Sequence, residues 1–563
     1  MIKAHCWQNV RRHSAKFISS FICLAKPIWE EGITGLAAYR IGGKFVILSC
    51  GNEGKRVEWK RYRDHCERIV AVMRKSGILL PVSSIPSGYG IGTFSKQAYE
   101  FIDLLEKAGQ SYWQILPLGP TGYGDSPYQS FSTFAGNPYY IDLETLIEEG
   151  YLTEEDCVKC NFGDNDRYID YEKIYLSRFK VLKTAFLNSH LEQEKAYRDF
   201  VEENSYWLDD YALYMAVKNS FEGKSWSEWD EDIKLRRPEA MKTYREEYAE
   251  EVEFYKFQQY LFAKQWFALK AYANEKKIQI IGDIPIYVAF DSADTWANPE
   301  LFQLDDTLTP VAVAGCPPDA FSATGQLWGN PLYRWEYHKE TEYAWWMRRI
   351  AYCYKLYDVV RIDHFRGFDE YYSIPYGDTT AEFGHWEAGP GYDIFKTMKA
   401  KLGNKAVIAE DLGFLTDTVI KLVKKTGYPG MKILQFAFDS REESDYLPHN
   451  YDKNSIVYTG THDNDTTIGW YTQLNRKDKA FARKYLHIRS SKDAQWAFIR
   501  AAMASVSDTC VIPMQDYLGL GTEARINMPS TLGTNWKWRM LPGEFTQELA
   551  ERIYDMTRLY SRV

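Results

Sequence analysis

Short apolar runs recur from residue 76 onward, each bounded by turn residues and separated from the next by an amphipathic stretch. Eight runs have this character: 77–82, 113–118, 279–284, 358–363, 406–410, 432–438, 455–460 and 509–514. Each is too short for a helix, and most are rich in Ile, Val and Leu, as parallel strands buried on both faces should be. The stretches between them, such as 95–108, 342–356, 417–426 and 493–506, space their apolar residues at helical intervals. Strands alternating with helices imply a parallel sheet. Eight of them imply an α/β fold of the (β/α)8 TIM-barrel class, with right-handed crossovers.

Two connections are too long for a bare barrel. The one after the second strand, 119–250, reads as an inserted subdomain, helical and charged over 167–220. The one after the third, 287–339, is rich in Pro, Gly and Trp and is expected to form loops over the barrel mouth. Insertions that follow a strand emerge at its C-terminal end, where barrel active sites lie.

Residues 1–72 differ from the rest. They hold thirteen Lys+Arg against six Asp+Glu, and four of the nine cysteines (Cys6, Cys23, Cys50, Cys66). The apolar run 17–25 loosely imitates a signal peptide but is followed by Lys26-Pro27 and no small-residue cleavage site. This segment reads as an extension outside the catalytic unit, which is expected to span 73–563. Its basic stretch 55–68 reads as a solvated helix face.

Composition narrows the function. With 45% hydrophobic residues in 563, the chain can bury a large core, and a net charge of −9 argues against a nucleic-acid partner. No run of roughly 18 uncharged apolar residues marks a membrane span. An odd cysteine count does not read as a disulfide framework, and the cytoplasm is the expected compartment. The lone pair Cys157 and Cys160 has no companion pair or nearby His and is read as incidental. Gly88-Tyr89-Gly90-Ile91-Gly92 lacks the spacing of a dinucleotide-binding loop. Aromatic residues, with 18 Trp, 42 Tyr and 29 Phe, are the unusual figure. Such rings stack on sugar faces, although most aromatics fill cores.

The chemistry concentrates at strand ends. Strand three ends in Asp283, strand four in Arg361-Ile362-Asp363-His364, strand five in Glu410-Asp411, and strand seven leads into His462-Asp463-Asn464-Asp465. A carboxylate after a buried strand costs desolvation unless paired. Asp411 or Asp465 on its own reads as a helix N-cap. Four acidic strand ends at one mouth exceed what capping explains. Carboxylates so placed serve either to coordinate a divalent metal or to cleave glycosides. Arg361, two residues before Asp363, shares its side of the strand and competes with a cation there. No metal is expected.

Several of these strings resemble the barrel motifs of the α-amylase clan: Val360-Arg361-Ile362-Asp363-His364-Phe365-Arg366-Gly367, Ile408-Ala409-Glu410-Asp411-Leu412-Gly413 and the segment 459–466. Ser126-Pro127-Tyr128-Gln129, Asp283-Ile284-Pro285-Ile286-Tyr287-Val288, Gly325-Gln326-Leu327-Trp328-Gly329-Asn330-Pro331 and Asn535-Trp536-Lys537-Trp538-Arg539 narrow the match. Together they look like glycoside hydrolase family 77, the amylomaltases or 4-α-glucanotransferases, over about 73–563. The resemblance implies transfer of α-1,4-glucan segments between malto-oligosaccharides by a retaining double displacement, releasing glucose from short donors. It assigns Asp363 as nucleophile, Glu410 as acid/base and Asp463 as transition-state stabiliser. It also gives Asp319 and Arg361 as substrate-binding, with His364 and His462 bonding hydroxyls of the donor ring, Tyr128 stacking beneath it with Ser126 and Asp283 in support, and Phe321 and Trp328 stacking on the acceptor side. Glu410 is expected to be raised by the charge of Asp363, which Arg361 keeps ionised.

The loop 315–322 carries Ala320 where several relatives have Tyr, and Ser530 stands where Gly is usual in the segment 527–531. A hydrolase with the same carboxylates is the nearest rival. About 50 residues follow the eighth strand, too few for the roughly 100-residue β-sandwich of an α-amylase, which favours the transferase. A binding protein would be expected to have lost a carboxylate. No cofactor, nucleic acid or membrane is expected, and the protein would act as a monomer or homodimer.

Overall fold

In the computed structural model the chain divides into two compact units, Met1–Met73 and Arg74–Val563. The structure describes 36–41, 44–49 and 74–563, except 123, 319–321 and 414. In the first unit Leu36–Ile41 and Lys44–Ser49 pair as an antiparallel hairpin. The apolar run 17–25, the basic stretch 55–68 and the cysteines Cys6, Cys23, Cys50 and Cys66 lie outside the described residues.

In the second unit each anticipated apolar run supplies one strand: β1 (Lys75–Leu79), β2 (Tyr112–Gln114), β3 (Gln279–Ile284), β4 (Val359–Ile362), β5 (Val407–Ala409), β6 (Gly430–Ile433), β7 (Ser455–Tyr458) and β8 (Thr509–Pro513). All pairings are parallel, and β8 pairs with β1 to close the barrel in sequence order. Alternation along the strands sorts the side chains. Leu79, Ile281, Val359, Ile408, Met431, Ile433, Ile456, Tyr458 and Val511 form one buried cluster, the barrel lumen. Their neighbours Ile78, Ile280, Val360, Val407, Val457 and Ile512 belong to the larger core outside. Burying each such aliphatic side chain contributes roughly 1.5–3 kcal/mol.

The alternation has a direct consequence for the site. Residues two further along from lumen positions also face the barrel axis: Arg361 after Val359, Asp283 after Ile281, Glu410 after Ile408. Above the apolar layer the lumen turns polar, with the Tyr458 hydroxyl donating to Gln114 Oε1 at 2.8 Å.

Amphipathic helices cover the outside. Lys96–Lys107 buries Ala98, Phe101, Ile102 and Leu105, the one-face spacing of a helix. Asp417–Thr426 starts at the Thr416 cap and stops at Gly427, whose φ of 75° continues no helix. Ala344–Leu356 and Ala494–Ala504 also occupy the expected stretches. Between β2 and β3 the long helices Tyr171–Ser189, Lys195–Ser220 and Ala249–Glu275 form a further layer.

Two details depart from expectation. The run 432–438 is strand only to Ile433; Leu434–Ala437 is a 3-10 turn with Leu434 and Ala437 in the outer core. The strand begins earlier, at Gly430, an apolar signal too weak to read. The segment after β3 is also more than loops. Ala312–Cys316 and Gln326–Pro331 form half of a four-stranded antiparallel sheet. Its other half, Glu370–Pro375 and His385–Ala388, arrives from the connection after β4, to which the sequence assigns no element. Among the described residues no helix is long and apolar enough to cross a membrane.

Candidate active site

Strand register converges the charged residues at one end of the barrel. Asp283 and Arg361 are paired neighbours on β3 and β4. The ladder continues past the strand ends: Asp363 N–H donates to Ile284 O at 2.9 Å and Glu410 N–H to Ile362 O at 3.1 Å. Adjacent strands therefore place Asp363 and Glu410 side by side at the rim.

Arg361 is the hub. Its Nη1 donates to both oxygens of Asp283 at 2.7 Å and lies 2.9 Å from Asp363 Oδ1. Burial opposes the charge on this guanidinium, but Asp283 and Asp363 hold it protonated well above its ordinary range. The Tyr128 hydroxyl donates to Asp283 Oδ2 at 2.7 Å and stands 2.9 Å from His462 Nε2. The Tyr128 ring stacks on His462, with centroids 5.2 Å apart and planes at 18°. Ser126 supports this arrangement through its hydroxyl, which accepts the Tyr128 N–H at 3.3 Å.

His462 Nε2 also lies 3.2 Å from Asp463 Oδ2. Burial lowers the imidazole, yet the Asp463 charge prevails and raises it above its ordinary value. Burial would likewise raise Asp463; His462 and the Asn527 amide, 2.6 Å from Oδ1, instead hold it at about 2.

Glu410 accepts the backbone N–H groups of His364 at 2.7 Å and Leu412 at 3.0 Å. Burial pushes its carboxyl to about 7, with Arg361 opposing and the Asp363 charge adding. Burial also raises Asp363 to about 6, against Arg361, although 29% of its side chain stays open to the cleft. This corrects the expected balance. Desolvation, more than the Asp363 charge, raises Glu410, and Arg361 shares its charge with Asp283 before it serves Asp363.

His364 adopts a left-handed backbone, φ 50°, a strain of order 1 kcal/mol of the kind found at functional sites. Its ring meets the Trp328 ring edge-on at 4.9 Å and faces Tyr287 at 6.4 Å. Burial lowers its pKa to about 4, and its Nε2 is buried without a protein partner among the described residues. A neutral ring with one free nitrogen suits a sugar hydroxyl.

Ser126, Tyr128, Asp283, Trp328, Arg361, Asp363, His364, Glu410, His462 and Asp463 thus gather at one mouth. Asp319 and Phe321 lie outside the described residues. Neither Asp411 nor Asp465 is a helix cap; Thr416 and Thr466 hold those positions. Asp411 instead accepts the Met431 N–H at 2.7 Å and extends the thin β5–β6 ladder. Asp465 accepts the Thr522 hydroxyl at 2.8 Å, tying the β7 and β8 loops. Sequence reading gave no role to Asn527, the donor to Asp463, or to Tyr287; both sit inside quoted motifs, but nothing in their type marks them apart from neighbours. Among the described residues no group of three or more His, Cys, Asp or Glu is arranged to hold a metal ion.

Residues 80–544 match the model of glycoside hydrolase family 77, described as 4-alpha-glucanotransferase. The chain is 53% identical over 483 residues to a 4-alpha-glucanotransferase of Clostridium butyricum, covering 85% of this chain and 99% of that one. It is 46% identical over 501 residues to one of Thermus thermophilus, covering 87% and 99%. Its structure is similar to that of an amylomaltase from Streptococcus agalactiae solved in complex with acarbose, at TM-score 0.85 and 44% identity over 87% of this chain and 99% of that one. The chain belongs to glycoside hydrolase family 77, the 4-alpha-glucanotransferases.

Proposed function

We propose that this enzyme transfers α-1,4-glucan segments between malto-oligosaccharides by a retaining double displacement at Asp363, Glu410 and Asp463. An Asp363 oxygen attacks the anomeric carbon as the glycosidic C–O bond breaks, and Glu410 gives its proton to the departing oxygen. The glycosyl group is then held as a β-linked ester on Asp363. An acceptor hydroxyl loses its proton to Glu410 and attacks the same carbon, which frees Asp363 and restores the α linkage. With a short donor such as maltotriose, glucose is the departing product.

The observation that carries this reading is the separation of three carboxylates by environment. Glu410 is raised to about 7, a poise suited to giving and retaking a proton near neutrality. Asp463 is held at about 2 and stays anionic where positive charge develops on the sugar. Asp363 has Arg361 at 2.9 Å to steady its anion before attack.

Tyr128 packs beneath the donor ring, and His364 and His462 bond its hydroxyls, with Ser126, Asp283 and Arg361 holding them in place. Asp319, Phe321 and Trp328 serve the acceptor side. The relative from Streptococcus agalactiae was solved with acarbose, which we take as a probe for this site. The reading requires no metal, cofactor, nucleic acid or membrane. It suits a monomer or homodimer in the cytoplasm, with 1–72 outside the catalytic unit.

Incubation with maltotriose alone, in the presence of a chelator, tests it. Longer maltodextrins and glucose at constant total reducing ends are expected. Rising reducing ends without longer products would assign a hydrolase instead.

A further inference from the structure

Asp516 is a buried carboxylate that the reaction above does not use. It lies beyond β8 on the short helix Met514–Leu518, with 2% of its surface exposed. Its Oδ2 accepts the hydroxyl protons of Thr459 at 2.5 Å and Thr467 at 2.6 Å. Its Oδ1 accepts the backbone N–H of Thr467 at 2.7 Å.

The two partners bracket a functional segment. Thr459 directly follows β7, and Thr467 is the first residue of the helix Thr467–Gln473. Both are fully buried, so these bonds are shielded from bulk water. The residues between them, 460–466, include His462 and Asp463. One side chain therefore ties the entry of this loop to its exit. The middle is gripped from elsewhere: Arg525 Nη2 donates to Asp463 O at 2.7 Å, and Asn527 N–H to His462 O at 3.1 Å. With both ends and the centre held, the loop has little freedom in where it presents its two functional side chains.

We propose that Asp516 is a positioning residue for the reaction: by clasping both ends of the loop 460–466 it sets where His462 and Asp463 stand against the donor ring. This rests on the roles given to those residues above. Groups aimed at a transition state must be held to within fractions of an ångström, and a misplacement of 1 Å costs about 10²-fold in rate.

Asp516→Asn removes the charge and replaces one acceptor oxygen with a donor, so the clasp cannot close as before. Steady-state kinetics on maltotriose should show kcat lower by about 10- to 100-fold with KM changed far less. Acarbose affinity should fall in step with kcat if it reports transition-state complementarity. In an Asp463→Asn background the same change should cost little more, because the clasp then has less to position. Should Asp516→Asn fold poorly, Thr467→Val deletes one donor, and Thr467→Ser keeps the hydroxyl and should restore the rate.

Unchanged kcat and acarbose affinity in Asp516→Asn would overturn the proposal, as would a full penalty persisting in the Asp463→Asn background. Asp363→Asn, assayed alongside, separates the two ideas. If it retains turnover, the catalytic reading itself falls. If it is dead while Asp516→Asn is unimpaired, the positioning role alone falls.

Discussion

Asn527 donates its side-chain amide to Oδ1 of Asp463 across 2.6 Å, from a loop that also grips the backbone of His462. A neutral donor aimed at a carboxylate stabilises its charge, and this bond helps hold Asp463 at about 2. Asn527→Ala should leave Asp463 paired with His462 alone. A hydrogen bond to a charged group is worth about 1.5–3 kcal/mol, so a fall in kcat of about 10- to 100-fold is expected, read from initial rates on maltotriose. A variant as fast as the native enzyme would remove Asn527 from the account.

On the proposed mechanism, donor cleavage needs Asp363 ionised and Glu410 protonated. With burial placing them at about 6 and about 7, kcat/KM should rise as Asp363 loses its proton and fall as Glu410 loses its own. The two limbs belong to the interacting pair and bound a narrow bell. A flat profile between them and alkaline pH would contradict the assignment of Glu410. The same shift has a stability sign. Glu410 binds its proton more tightly folded than at its ordinary 4.5, so its contribution is full below that value and lost as pH rises through about 7. Glu410→Gln should therefore raise the melting temperature more in alkaline than in acidic buffer.

Gly430 opens β6 where Asp411 crosses toward it. A Cβ there would sit 2.2 Å from Asp411 Oδ2, a distance no side chain tolerates. Gly430→Ala should displace the carboxylate that completes the β5–β6 ladder, next to Glu410. Overpacking of this kind costs about 1–3 kcal/mol, measurable by denaturant unfolding, and kcat should fall with it.

Ser530 is exposed and holds φ at +64°, a left-handed conformation that glycine adopts without penalty. Serine at this position therefore carries a backbone strain that glycine would not. Ser530→Gly should stabilise the protein by up to about 1 kcal/mol, the left-handed penalty less the extra chain entropy of Gly. An unaltered unfolding midpoint would show that the loop absorbs the strain.

The barrel was legible because its signal is local: each strand is a short apolar run, and Arg361, Asp363 and Glu410 follow lumen positions at intervals of two. Carboxylates at strand ends pointed to the site by the cost of burying them. Less legible were features that depend on partners far along the chain. Nothing near Asp411 announces that its acceptor role lies 20 residues away at Met431, and a helix cap is the simplest local reading. The sheet joining 312–316 and 326–331 to 370–375 and 385–388 spans two connections, so no single stretch reveals it. Burial as the main cause of the Glu410 shift needs the packed site, which residue spacing cannot supply.

On the proposed mechanism Asp363 carries the glycosyl group between donor and acceptor. The most direct test is mass spectrometry of Glu410→Gln quenched after brief exposure to α-maltosyl fluoride. That donor departs without help from an acid, whereas acceptor attack still needs the base, so the intermediate should accumulate. A maltosyl adduct mapping to the peptide that contains Asp363 is predicted. Transfer products without any adduct, or an adduct on another residue, would contradict the account.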